Sequence, residues 1–233
     1  MNSVFRSRNR RLPNLFLIHM IFMLGACAPA YIPNTVNTPL FSNKGEFQIS
    51  VYKGLAGTDP QFACAITDNI GLMLNGSFAN RTNDTTNNYH KHQFLELGIG
   101  YYSGIGEKGR FEVYTGYGFG KLSANYESGI FSDRANVNTS RIFLQPAIGV
   151  SSDVYDGSFA TRFVAVNLTG ETENSLGFFV EPVFTSKIGY RYVKGVIQFG
   201  MSFPFEEDQI EFNYQPFIFS IGVQANIGRI YDE

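Results

Sequence analysis

From Gly45 onward, apolar and polar residues alternate with a period of two. Ile70, Leu72, Leu74 and Phe78 fall on one face, with Gly71, Asn75 and Ser77 on the other. Phe111, Val113, Thr115, Tyr117 and Phe119 oppose Glu112, Tyr114, Gly116, Gly118 and Gly120. Near the C-terminus, Phe217, Phe219, Ile221, Val223, Ala225 and Ile227 oppose Ser220, Gly222, Gln224 and Asn226. Alternation this long is the signature of strands with two different faces; a helix would repeat near every 3.6 residues.

Ten strands are predicted, near 45–54, 59–67, 70–80, 92–103, 110–121, 140–151, 158–169, 176–189, 193–203 and 214–228. The connections at 67–69, 104–109, 152–157 and 189–192 are tight and turn-rich. Those at 81–91, 122–139, 170–175 and 204–213 are mostly longer and polar, with 55–58 as the one short member of that class. Short and long alternate, as in an up-and-down antiparallel transmembrane β-barrel with short periplasmic turns and longer outer loops. Gln145-Pro146, Glu181-Pro182 and Gln215-Pro216 recur about one hairpin apart. Proline lacks a ladder donor, so these positions predict bulges or portions lying beyond the regular ladder.

Two all-β architectures share this pattern. A soluble lipocalin-like barrel would turn the apolar face inward; a membrane barrel turns it toward lipid. The minority face carries Gly98, Gly100, Gly116, Gly118, Gly120, Gly149, Gly200 and Gly222, plus isolated Glu96, Glu112, Glu181 and Gln224. A soluble exterior would carry frequent Lys and Glu. The face therefore reads as a crowded lumen, with glutamates paired to Lys53 or Lys187 and the interior filled by Tyr52, Tyr102, Tyr114 and Phe143. Tyr101, Phe111, Phe178, Tyr190, Phe203 and Phe217 lie near strand ends, where interfacial girdles form.

The leader completes this picture. Arg6, Arg8, Arg10 and Arg11 precede a largely apolar run from Leu12 to Met23, which ends in Leu24-Gly25-Ala26-Cys27. A basic region, a short apolar region and small residues at the cut make a secretory signal peptide. Residues 1–26 are assigned to it. The last four residues resemble the lipobox of bacterial lipoproteins, in which the cysteine is lipidated; Ala26-Cys27-Ala28 also fits ordinary cleavage after Ala28. Residues 27–44 are expected to be the lipid anchor and a Pro/Asn-rich tether, because Pro29, Pro33 and Pro39 among Asn and Thr favour an extended chain. Residues 45–233 form the barrel domain.

In these features the chain resembles the small outer-membrane β-barrel lipoproteins of the Bacteroidota. Their CAPxYxPN-like start reads here Cys27-Ala28-Pro29-Ala30-Tyr31-Ile32-Pro33-Asn34, and their GEFQ-like first strand reads Gly45-Glu46-Phe47-Gln48. The resemblance implies lipid attachment at Cys27 and residence in the outer membrane of a Gram-negative cell envelope. The chain departs from the usual aromatic barrel ending, finishing Ile230-Tyr231-Asp232-Glu233.

Composition agrees. The chain has 23 Phe, 13 Tyr, 24 Gly and no Trp, with only 16% charged residues. Removing the four leader arginines leaves 18 − 4 = 14 basic against 20 acidic residues, a net charge of −6. That balance excludes nucleic acid as a partner, since phosphate binding needs clustered Lys and Arg. Cys64, between Phe62 and Ile66 on one face, reads as a small apolar strand residue.

Catalytic chemistry is sparse. His90 and His92 are the only histidines after the leader, and no Asp, Cys or third His stands at ligand spacing. They are expected in a solvated loop. Ser77 and Asp84 are near in sequence, without a nucleophile elbow. The glycine clusters alternate along strands and serve packing, not phosphate binding. No cofactor, metal site or enzymatic activity is expected. The leading expectation is a lipid-anchored outer-membrane barrel, structural or binding an envelope or extracellular ligand through the loops at 81–91 and 122–139. A tethered carrier of a hydrophobic ligand, and a barrel enzyme or narrow transporter, remain alternatives.

Overall fold

The computed structural model describes residues 29–231 except 84, 129–130, 171–173, 207–209 and 211. Its strands are β1 (Phe47–Gly54), β2 (Thr58–Ala65), β3 (Ile70–Asn83), β4 (Asn88–Ile105), β5 (Gly109–Ser128), β6 (Phe131–Ser151), β7 (Tyr155–Thr169), β8 (Asn174–Tyr190), β9 (Val193–Met201), β10 (Phe203–Pro204) and β11 (Phe217–Ile227). Every pairing between them is antiparallel. β11 returns to β1, from Phe47↔Ile227 to Gly54↔Ser220, and the ring is closed. β10 prolongs β9 across a break at Ser202 and keeps the register to β8, Val183↔Gly200 being followed by Phe203↔Val180. The barrel therefore has the ten expected staves.

The prolines are absorbed without bulges. On either side of Pro146 the β6–β7 register is unchanged, from Leu144↔Phe163 to Ala147↔Ala160. Pro182 interrupts the β8–β9–β10 ladder in the same way. Pro146 and Pro182 omit the bond they cannot donate and leave the register intact, while Pro216 lies just before β11, beyond the regular ladder.

The two faces are inside out relative to a soluble domain. On β4, Leu97 is 61% exposed while Glu96 is 1% exposed. Leu72, Ile99, Phe119, Ile142, Phe199 and Ile221 point outward. Gln48, Asn75, Glu112, Arg141, Glu181 and Gln198 are buried within. An apolar exterior around a polar interior is the transmembrane arrangement; the soluble-carrier alternative needs the reverse and is excluded. Cys64 is a free thiol on the face of exposed Phe62 and Ile66.

Toward one end the polarity of the wall inverts. Along β5, outward Phe111, Tyr117 and Phe119 give way to outward Lys121, Ser123 and Glu127, while inward Leu122 and Ala124 become buried. On β6 and β7, Ala135, Val166 and Leu168 are likewise buried inward. Water outside demands apolar residues inside, so the inversion marks where the wall leaves the membrane.

These projecting portions replace two expected loops. Segment 81–91 continues β3 and β4, pairing out to Asn83↔Asn88. Segment 122–139 continues β5 and β6, pairing out to Ser128↔Phe131. β1, β2, β9 and β11 stop earlier, so the wall is tall from β3 to β8 and low at the 55–57 turn. The opposite end carries the connections 66–69, 106–108, 152–154 and 191–192. It is the turn end; the projecting end is the tall end.

Candidate functional site: the filled lumen and the rim above it

Residues 30–44, expected to be a free tether, instead run through the barrel. Tyr31, Asn34, Val36, Leu40 and Phe41 are almost wholly buried. The segment is extended, as its prolines predicted, but without a neighbouring strand its backbone polar groups need other partners. Side chains of the lumen supply many of them. The Leu40 N–H donates to Glu112 at 2.9 Å, and Gln145 donates to the Asn37 carbonyl at 2.7 Å. Lys187 donates to the Thr38 carbonyl at 2.7 Å, and Gln61 to that of Thr35 at 2.7 Å. The Thr35 N–H and hydroxyl both donate to Asp59, at 2.9 and 2.6 Å. Polar residues on the inner face are thus ladder partners for a chain that has no ladder.

At the tall end the N–H groups of Ala30 and Tyr31 donate to the Asn213 carbonyl, at 2.8 and 3.2 Å. Tyr31 pairs with Tyr214 in an isolated parallel bridge. At the turn end the Ser42 N–H donates to Glu46 at 2.9 Å and Asn43 donates to the Gly228 carbonyl at 2.9 Å. The chain then reverses into β1.

Two charge clusters brace the segment. Nearer the tall end, the Glu96 carboxylate accepts from Arg141, with an Nε–O distance of 3.0 Å, and from Arg162. Both arginines also donate to the Asn34 side-chain oxygen. Arg141 lies 3.8 Å from the ring centroid of Phe94, and Arg162 4.3 Å from that of Phe143. Nearer the turn end, Lys194 meets Asp156 at 2.8 Å and Arg229 meets Glu46 at 2.6 Å. Arg229 also donates to the Pro39 and Leu40 carbonyls, at 3.2 and 3.0 Å. Buried charges persist only when paired and hydrogen-bonded; here the threaded segment completes both clusters.

The remaining space is closed by aromatic rings. A Cβ on Gly116 would sit 2.6 Å from the Phe143 ring, and one on Gly118 would sit 2.4 Å from that of Phe94. These glycines make room for the rings, which is the packing role expected of the cluster. Tyr52, Tyr102, Tyr114 and Phe143 are buried as anticipated. Lys53 instead points outward and donates to Thr58 at 2.9 Å.

Above this filling, the expected recognition segments converge. Arg81, Tyr89, His90 and Tyr126 line a cavity of about 350 Å³ together with Pro29, Leu55 and Gln215. The histidines belong to β4, not to a loop. Ser77 Oγ lies 3.0 Å from His92 Nε2, and His92 Nδ1 lies 3.0 Å from His90 Nε2. That order, hydroxyl then base then orienting group, is the order of a nucleophilic relay. The space beside Ser77 and His92 is about 30 Å³ and is bounded by Ile32 and Asn34. That volume is about the size of a single water molecule. Among the described residues no three metal-ligating side chains cluster. Burial first, then the neighbouring His90, Arg81 and Arg141, pushes the His92 pKa down to about 4.

A larger recess of about 800 Å³ opens on the lipid-facing wall, between Ile142, Leu144, Phe163, Phe178, Phe205 and Ile210. Its lining is apolar and suits acyl chains. Cys27 lies outside the described residues. Arg141, Arg162, Lys194 and Arg229 went unassigned in the sequence. For the first three the one signal was position, as cations on the face opposite the aliphatic residues; Arg229 lies beyond β11, past Gly228, where the alternation has ended.

No protein-family model matches the chain, and no curated protein matches its sequence. Among solved structures, the N-terminal β-barrel domain of Pseudomonas aeruginosa OprF is similar over 80% of this chain and 100% of that domain. The identity is 10% and the TM-score 0.36. A likeness this distant carries no argument, and the barrel stands on its own registers and faces.

Proposed function

We propose that this chain is a sealed barrel of the Gram-negative outer membrane, anchored by lipid at Cys27, that acts through its projecting rim and not by conduction. The observation that carries this reading is the occupied lumen: residues 30–41 fill it, held by side chains from nearly every stave. The apolar belt supports residence in a membrane, and short turns opposite a projecting end match the orientation with turns in the periplasm. The Leu24-Gly25-Ala26-Cys27 box supports the anchor. The rim offers the cavity of Arg81, Tyr89, His90 and Tyr126, where a cationic group among aromatic and amide groups suits a small polar or anionic ligand of the envelope or its surroundings. The role is binding or structural, without catalysis or cofactor.

The anchor is tested by mass spectrometry of the N-terminal peptide from membranes. An acylated Cys27 supports it; a free N-terminus at Ala28 or Pro29 removes it. The rim is tested by an Arg81→Ala, Tyr126→Ala double variant, which should fold normally, judged by heat-modifiable gel mobility, and lose the envelope phenotype of the intact protein. A phenotype unchanged in the folded variant would contradict a role for this cavity.

A further inference from the structure

The direction of the threaded segment fixes where the chain upstream of it leaves the barrel. Ala30 and Tyr31 are pinned to Asn213 at the tall end, and Asn43 is pinned to Gly228 at the turn end. The chain therefore enters from the projecting rim and runs down to the turns before β1 climbs back. Pro29 lies in the rim cavity beside Leu55 and Gln215, where the wall is lowest. Phe203 on β10 and Phe219 on β11 stand exposed on neighbouring staves of that low side. Large aromatic residues in that position mark a membrane interface.

We propose that the protein is threaded outward through its own barrel, so that its N-terminal end emerges at the cell surface beside the low rim. This rests on the orientation and the lipid anchor of the proposed function. Only Ala28 separates Cys27 from Pro29, and two residues extend at most about 7 Å. Returning to the turn end would require a second passage down the lumen. That passage is occupied by the segment itself and by Glu96, Arg141, Arg162 and Phe143, all at most 2% exposed. A lipid carried two residues upstream of Pro29 is then within reach of the outer leaflet, on the side facing away from the periplasm. A lipid anchor and the binding rim then share one face of the membrane, and the buried segment between them ties both to the barrel interior.

Three positions for a short epitope test this in the full chain: between Ala28 and Pro29, between Thr85 and Thr86, and between Glu107 and Lys108. Folding of each is confirmed by heat-modifiable mobility. On intact cells, antibody should reach the tags at 28/29 and 85/86; the tag at 107/108 should be reached only after permeabilisation. A folded protein whose 28/29 tag is concealed on intact cells overturns the proposal. If the insertion prevents folding, Ala28→Cys with Cys64→Ser, probed by a membrane-impermeant maleimide, gives the same decision. Labelling on intact cells supports outward threading, and labelling only after permeabilisation refutes it. An unmodified Cys27 by mass, with the 28/29 tag at the surface, removes the lipid while leaving the outward exit standing.

Discussion

The side-chain amide of Gln198 closes a two-bond ring with the backbone of Val36. The Val36 N–H donates to Gln198 Oε1 at 2.7 Å, and Gln198 Nε2 donates to the Val36 carbonyl at 2.9 Å. Both residues are fully buried. This is the bond pattern of two neighbouring strands, made by one side chain reaching from the wall to a segment 162 positions away.

Gln198→Leu should therefore destabilise the barrel. It leaves a buried N–H and C=O without partners, each costing about 1–3 kcal/mol. The expected loss is on the order of 2–5 kcal/mol, read as a lower midpoint of urea unfolding in detergent micelles. A midpoint equal to the parent's would mean that the segment is not held there.

Glu96→Gln should cost more than removal of an exposed carboxylate. Arg141 and Arg162 both converge on Glu96, and the substitution leaves two buried guanidinium groups without their counter-charge. Breaking a buried pair by removing one partner costs about 3–5 kcal/mol. Glu107→Gln, in an exposed turn, serves as the control and should leave the midpoint unchanged.

On the outer face the sign of the argument reverses. Leu97 stands among Leu95, Ile99 and Tyr101 in the apolar belt. Leu97→Arg should cost about 2–4 kcal/mol in a bilayer, measured by folding into lipid vesicles. A wild-type midpoint for that variant would contradict the lipid-facing assignment.

His92 lies beyond the belt, and its titration reports the burial of the rim. Its pKa is lowered to about 4, chiefly by burial and then by His90 and the nearby arginines. The unfolded chain takes up a proton near the ordinary value of about 6.5. Stability from this site is thus fully present above that value and is lost as pH falls from there toward 4. In the folded protein, NMR of the imidazole should show His92 neutral at pH 5.5. Protonation near 6.5 would place it in solvent.

The strands were legible because lipid outside and a crowded interior impose opposite demands on successive residues. Leu97 and Glu96 carry that contrast in adjacent letters. The pattern failed at 122–139 for an equally physical reason. Where the wall enters water, Leu122 and Ala124 turn inward and Lys121 and Ser123 outward, so the phase of the alternation shifts and the segment resembles a loop. The threaded segment left no periodic trace. Pro33, Asn34, Thr35, Asn37 and Thr38 compose an ordinary linker, and the side-chain partners of residues 33–38 lie 24 to 162 positions away. The buried arginines were invisible as partners for the same reason, since Asn34 joins Arg141 and Arg162 only once the chain is inside the barrel.

Conductance in planar bilayers tests the central claim, that the barrel is closed by its own N-terminal segment. The intact protein, with insertion verified by its heat-modifiable mobility, should show no steady ohmic channel. A variant lacking residues 30–41, refolded and verified in the same way, should open one. Steady conductance from the intact protein, unchanged by removal of the segment, would contradict the account.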